Sequence, residues 1–141
     1  MPLDGAMLSQ VSREIETAVG CRVDRIMQPT REELILALRG RQGSFKLLIA
    51  VNAASPRIQF TQSSVENPKS PPMFCMLMRK LIGSATLTAV RQVGLDRVLE
   101  LDFDTTDELG DRVLLTLCVE IMGRHSNLIV RRADGHIVDS I

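Results

Sequence analysis

Glu120-Ile121-Met122-Gly123-Arg124-His125-Ser126-Asn127-Leu128-Ile129-Val130 is a hydrophobic run that breaks into a glycine and four polar residues and then resumes at once. That pattern is the mark of two strands joined by a tight turn, and it points to a β-rich fold. A hairpin needs only Asn-Gly or Asp-Gly to reverse direction. A guanidinium, an imidazole, a hydroxyl and an amide within four positions exceed that requirement. Ser126 and Asn127 can hydrogen-bond the loop backbone, while Arg124 and His125 suit a ligand. The residues alone leave both readings open.

Outward from this hairpin the alternation continues. Leu99, Leu101 and Phe103 alternate with Glu100, Asp102 and Asp104, and Leu115, Leu117 and Val119 alternate with Thr116, Cys118 and Glu120. Both are half-buried strands. Strands are expected over 86–93, 97–103, 112–122, 127–132 and 136–139, and earlier over 23–27, 33–38, 45–51 and 57–61. Turn-forming Gly-Arg-Gln-Gly at 40–43 and Asn-Ala-Ala-Ser-Pro at 52–56 separate the early strands, so an antiparallel meander is expected rather than βαβ units.

Two helices complete the chain. Asp4 is placed to cap the first, over 6–19, with Met7, Val11, Ile15 and Ala18 at helical spacing and Arg13, Glu14 and Glu16 outward. Gly20 ends it. The second follows a proline-rich loop at 63–72 and runs over 73–82, with Pro72 at its start and Gly83 at its end. Met73, Met76, Leu77 and Lys80 form one face and Phe74, Met78 and Leu81 another. Burial over much of its circumference is expected, with the methionines in the core. Arg13, Arg79 and Lys80 read as solvated or snorkelling side chains. The expected fold class is α+β, an antiparallel β-sandwich with two principal helices.

The 141 residues fit one domain with a core of its own. With no Trp or Tyr, four Phe and seven Met, that core must be aliphatic. No apolar stretch approaches the ~18 residues of a membrane span, and no basic lead precedes an apolar run in the manner of a signal peptide. A cytoplasmic location is the default expectation. Cys21, Cys75 and Cys118 lie far apart in apolar segments, and the two histidines, His125 and His136, lack metal-ligand spacing. Buried free thiols are expected, and neither a disulfide framework, a metal site nor a cofactor.

Seventeen basic residues balance seventeen acidic ones, which argues against binding nucleic acid through a bulk basic field. The segment 98–111 holds six acids and no base. Such a strand and turn would repel phosphate, so RNA would be met elsewhere, by a few placed arginines.

Gly94-Leu95-Asp96-Arg97 sits between two expected strands. It can be a plain β-turn, or a turn that projects an Asp-Arg pair suited to phosphate or a base edge. Several segments together decide more than each alone. Leu3-Asp4-Gly5, Gln28-Pro29, Glu66-Asn67-Pro68, Pro71-Pro72-Met73-Phe74-Cys75-Met76-Leu77-Met78-Arg79-Lys80, Gly94-Leu95-Asp96-Arg97-Val98 and the Glu120 segment occur in that order. This wording resembles the N-terminal domain of the NFACT family, across essentially the whole chain. The family has bacterial RqcH-like members, also called fibronectin-binding protein A, and a eukaryotic NEMF branch. The resemblance implies an N-terminal domain, residues 1–141, excised from a longer multidomain protein. It also implies a fold similar to the N-terminal domain of formamidopyrimidine-DNA glycosylases.

The resemblance further implies a ribosome-associated quality-control factor. Its partners would be the large ribosomal subunit still blocked by peptidyl-tRNA, and a tRNA, alanyl-tRNA in the bacterial members. RNA is the expected nucleic acid, not DNA, with no membrane partner. Such a factor supports template-free C-terminal tailing of stalled chains, with peptide transfer left to the ribosome, so the domain is expected not to be an enzyme. By resemblance Asp96 and Arg97 engage the tRNA. Glu120, Gly123, Arg124, His125, Ser126 and Asn127 form a second binding or turn-shaping segment, because Arg and His can stack on exposed bases and meet phosphate. No Cys, Ser or carboxylate spacing supplies a nucleophile–base pair around His125.

Two rival classes remain open on residues. Met1-Pro2 resembles the opening of the glycosylases, whose Pro amine is the nucleophile, but Leu3 stands where their catalytic Glu would be. An amine without that acid lacks the proton transfer the imine chemistry needs. Adhesion to fibronectin is the other, as a secondary interaction.

Overall fold

The computed structural model describes residues 5–52, 56–62, 72–93, 97–121, 127–132, 135 and 137–140. Helix α1 (Gly5–Glu16) is followed by β1 (Arg22–Thr30), β2 (Glu33–Gly40), β3 (Gly43–Ala50) and β4 (Arg57–Phe60). Helix α2 (Met73–Ile82) then leads into β5 (Thr86–Gln92), β6 (Val98–Thr106), β7 (Arg112–Glu120), β8 (Asn127–Arg132) and β9 (Ile137–Ser140). The α+β class and both principal helices are as the sequence implies.

The strands form one antiparallel sheet in the order β4-β3-β2-β1-β5-β6-β7-β8-β9. It consists of two meanders, each built from strands consecutive in the chain. Short turns dictate that arrangement: β2 and β3 stay in register over eight rungs, from Glu33↔Ala50 to Gly40↔Gly43, where Gly43 takes φ +129° to close the turn. The meanders meet at a single rung, Arg22↔Thr86, flanked by the bonds Val23 N–H to Ala85 O and Leu87 N–H to Cys21 O.

Core residues come from both meanders and both helices. Leu34, Leu36, Leu47 and Ile49 of the first join Leu87, Leu99, Leu101, Phe103, Leu117 and Val119 of the second in one buried cluster. Helix α1 contributes Leu8, buried Ser12 and Ile15, with Val11 partly buried, and Arg13, Glu14 and Glu16 face out. The Gln42 side chain ties the β2–β3 turn to the chain after α1 by donating to the carbonyls of Thr17 and Val19. The Asp4 cap lies outside the described residues.

Helix α2 has the expected span but not the expected burial. It packs on β1 and β6 through Phe74, Cys75, Met78 and Ile82, and leaves Met73 86% and Met76 57% exposed. Only Met78 of the three methionines is core. One face suffices to cover the sheet, so the uniformly apolar composition hid which side faces out. Arg79 is not merely solvated either: its Nε and Nη2 both donate to the Ile26 carbonyl, at 3.1 and 3.0 Å. Cys21, Cys75 and Cys118 are all free and buried, and burial pushes each thiol up from its ordinary value. No helix among the described residues is long and apolar enough to cross a membrane.

Candidate nucleic-acid interface

Register aligns the strand ends that flank the two turns singled out in the sequence. Val98 pairs with Glu120, and Glu120 pairs with Asn127, so the ends of β6, β7 and β8 form one row. Neighbouring strands stand about 4.8 Å apart. Arg97, Ile121 and Asn127, the described residues that flank the two connections, therefore lie at the same end of the second meander.

Backbone bonds fix their roots. Val93 N–H donates to Val98 O at 3.0 Å, and Ile121 N–H donates to Arg97 O at 2.8 Å. Ile121 is fully buried, while Arg97, Glu120 and Asn127 are half-buried. The Arg97 main chain is thus clamped to the neighbouring hairpin without using its guanidinium. Asn127 Oδ1 accepts the Leu128 N–H at 2.8 Å, within β8. Asp96, Gly123, Arg124, His125 and Ser126 lie outside the described residues. Among the described residues no three His, Cys, Asp or Glu come together as a metal site.

Two rungs below that end lies a network that the sequence did not reveal. Glu100 is nearly buried between two guanidiniums: Arg91 Nε donates to one carboxylate oxygen at 2.9 Å and Arg131 Nη2 to the other. Arg91 also forks onto Asp102, which accepts a further bond from Thr116 Oγ1 at 2.8 Å. Burial works to raise the Asp102 carboxyl, but hydrogen bonds from Arg91 and Thr116, with the charges of Arg91 and Arg131, hold it below its ordinary 3.8. Asp104 is met by Arg112, and Glu108 by Lys80 at 3.3 Å.

This corrects the expectation that 98–111 repels phosphate as a block. Four of its six acids face cations brought from β5, β7, β8 and α2, so most of the negative charge is compensated within the fold. The alternating acids on β6 were a visible signal. The arginines that answer them are up to 31 residues away, and only the pairing register brings them together.

Two antiparallel meanders around a shared aliphatic core, with two helices packed on them, define an α+β domain. The family model described as "NFACT N-terminal and middle domains" matches residues 4–141. "Rqc2 homolog RqcH" of Streptococcus suis is 38% identical over 143 residues, covering 100% of this chain and 26% of that protein. The protein of the same name in Bacillus subtilis is 36% identical over 139 residues, covering 98% of this chain and 24% of its own length. The chain thus spans about a quarter of these relatives. Among solved structures, the N-terminal domain of fibronectin-binding protein PavA from Streptococcus pneumoniae superposes with TM-score 0.93 at 35% identity, over 97% of this chain and 52% of that one. The N-terminal part of the fibronectin/fibrinogen-binding protein of Streptococcus suis gives 0.94 at 37%, over 98% and 52%. The chain belongs to the NFACT family.

Proposed function

We propose that this chain is the N-terminal domain of a ribosome-associated quality-control factor, and that it positions a tRNA for template-free tailing of nascent chains stalled on large ribosomal subunits. The observation that carries the reading is the end-to-end match to relatives named as Rqc2 homologues. The adjacency of the Arg97 and Glu120–Asn127 segments supports it. A guanidinium on a clamped backbone is pre-organised for a phosphate or base edge, which lowers the entropic cost of each contact. Asp96 beside it would orient the fork, and Arg124 and His125 would meet the same RNA from the adjacent turn. The domain supplies placement and no bond-making step, works in the cytoplasm and needs no cofactor; alanyl-tRNA is the expected tRNA. Fibronectin binding, carried by the names of the solved relatives, is a secondary interaction in this reading.

The test is Arg97→Ala in the full-length protein. Tailing of stalled chains should be abolished, and the co-purifying tRNA lost while large-subunit rRNA is retained. Stability should change by about 0.5 kcal/mol or less, since the Arg97 backbone bond to Ile121 survives the substitution. Unchanged tailing rejects the assignment, and absence of ribosomal RNA from the unsubstituted protein favours adhesion.

A further inference from the structure

One carboxylate is bonded to both strands that flank the β6–β7 pair. Glu100 lies on β6, directly opposite Arg91 of β5, whose Nε donates to Oε1 at 2.9 Å. Its other oxygen accepts from Nη2 of Arg131 on β8. Register puts Arg131 in the row of Asp102 and Thr116, one row farther from the Arg97 end than Glu100, Cys118 and Ile129. The Arg131 side chain therefore leans across β7 toward that end and spans two strand spacings, roughly 10 Å. The next row along is Val98, Glu120 and Asn127, one same-face step of about 7 Å from Glu100.

The face on which this happens is unexpected for a buried acid. The aliphatic core takes Leu99, Leu101, Leu117 and Val119. Alternation therefore puts Glu100, Asp102 and Cys118 on the opposite face of the sheet. An acid there is ordinarily solvated, yet Glu100 is only 7% exposed. Replacing a buried Arg–Glu–Arg arrangement with packed apolar residues is often neutral or stabilising. Stability alone does not account for this one. Hydrogen-bonded ion pairs add direction, because they are satisfied at one spacing of the strands and not at others.

We infer that Glu100 is a positioning residue for the Arg97 end: its carboxylate ties β5, through Arg91, and β8, through Arg131, to β6, and so fixes the spacing at which Arg97 and Asn127 face one RNA. The backbone ladder joins each strand only to its neighbour, whereas this bridge joins β6 to β8 across β7. The reading rests on the proposed placement of tRNA, and adds to it a residue that touches no RNA.

The test uses the full-length protein and two readouts: amide hydrogen exchange, strand by strand, and the tRNA and large-subunit rRNA that co-purify. Arg131→Gln should raise exchange in β8 about tenfold and leave β5 as in the parent; Arg91→Gln should do the reverse. Glu100→Gln should raise both, with the β2–β3 hairpin unchanged in all three variants. Co-purifying tRNA should fall in Glu100→Gln and in Arg131→Gln while rRNA is retained. Arg131→Lys should behave as the parent, since a single bond to Glu100 needs a cation and not a fork. If Glu100→Gln fails to fold with two cations left unpaired, Arg131→Gln, whose side chain is 34% exposed, carries the test. Exchange that stays at the parent value in β5 and β8, or that rises equally in every strand, overturns the inference. So does tRNA retained in Glu100→Gln and Arg131→Gln when Arg97→Ala loses it; the placement reading then stands without this residue. Retained tRNA in Arg97→Ala rejects the placement reading itself, and positioning with it.

Discussion

Asp102 shows how a single carboxylate on an outward sheet face becomes structural. Taken from water it is penalised, and the fork of Arg91 with the Thr116 hydroxyl outweighs that penalty. Its folded value lies below 3.8, so it contributes stability that is fully present above its unfolded value and lost as pH falls through the folded one. Asp102→Asn should therefore lower the urea midpoint at neutral pH, and the variant should lose less stability than the parent between about pH 5 and pH 2. Equal acid limbs in the two proteins would assign the acid sensitivity to other carboxylates. Glu100 shares Arg91 and adds Arg131, so the two acids act through a common guanidinium and their substitutions should not be additive.

At the level of elements, α2 ends where its sequence says, at Gly83, whose N–H bonds the Arg79 carbonyl at 3.1 Å. A Cβ there would fall 2.1 Å from that oxygen. Gly83→Ala should destabilise by about 1–3 kcal/mol through displacement of the helix end, measured by denaturant titration; a neutral result would mean the cap relaxes freely. The span of α2 and the hairpin of β7 and β8 were legible because proline, glycine and period-two alternation punctuate them locally. Which methionines of α2 face out was not legible, since apolar residues occupy both flanks and only tertiary packing chooses one. Strand ends also moved: β1 continues to Thr30 because β2 pairs with it as far as Glu33. The candidate site was readable as two separate turns. The alignment of their flanks depends on the pairs Val98↔Glu120 and Glu120↔Asn127, a register that alternation alone does not specify.

The whole molecule separates its tasks. An aliphatic core with Phe103 as the largest fully buried side chain among the described residues holds the two meanders together; one end of the second meander carries Arg97, and one face of the first carries Arg22, Arg25 and Arg39. The single rung joining the meanders also sets an order of assembly. Every other strand pairing joins neighbours in the chain, so its loop closes at low entropic cost, and hairpins of this kind form in microseconds. Arg22↔Thr86 is the one pairing that must wait for a long segment to close. Each meander should therefore be largely built before the seam zips. In stopped-flow chevrons, Leu117→Ala inside the second meander should slow refolding, whereas Val23→Ala at the seam should chiefly speed unfolding. The opposite pattern would make the seam the nucleus. During synthesis the first meander would already be complete while β5 is still being made, and its arginine-bearing face would meet its surroundings before the Arg97 end exists.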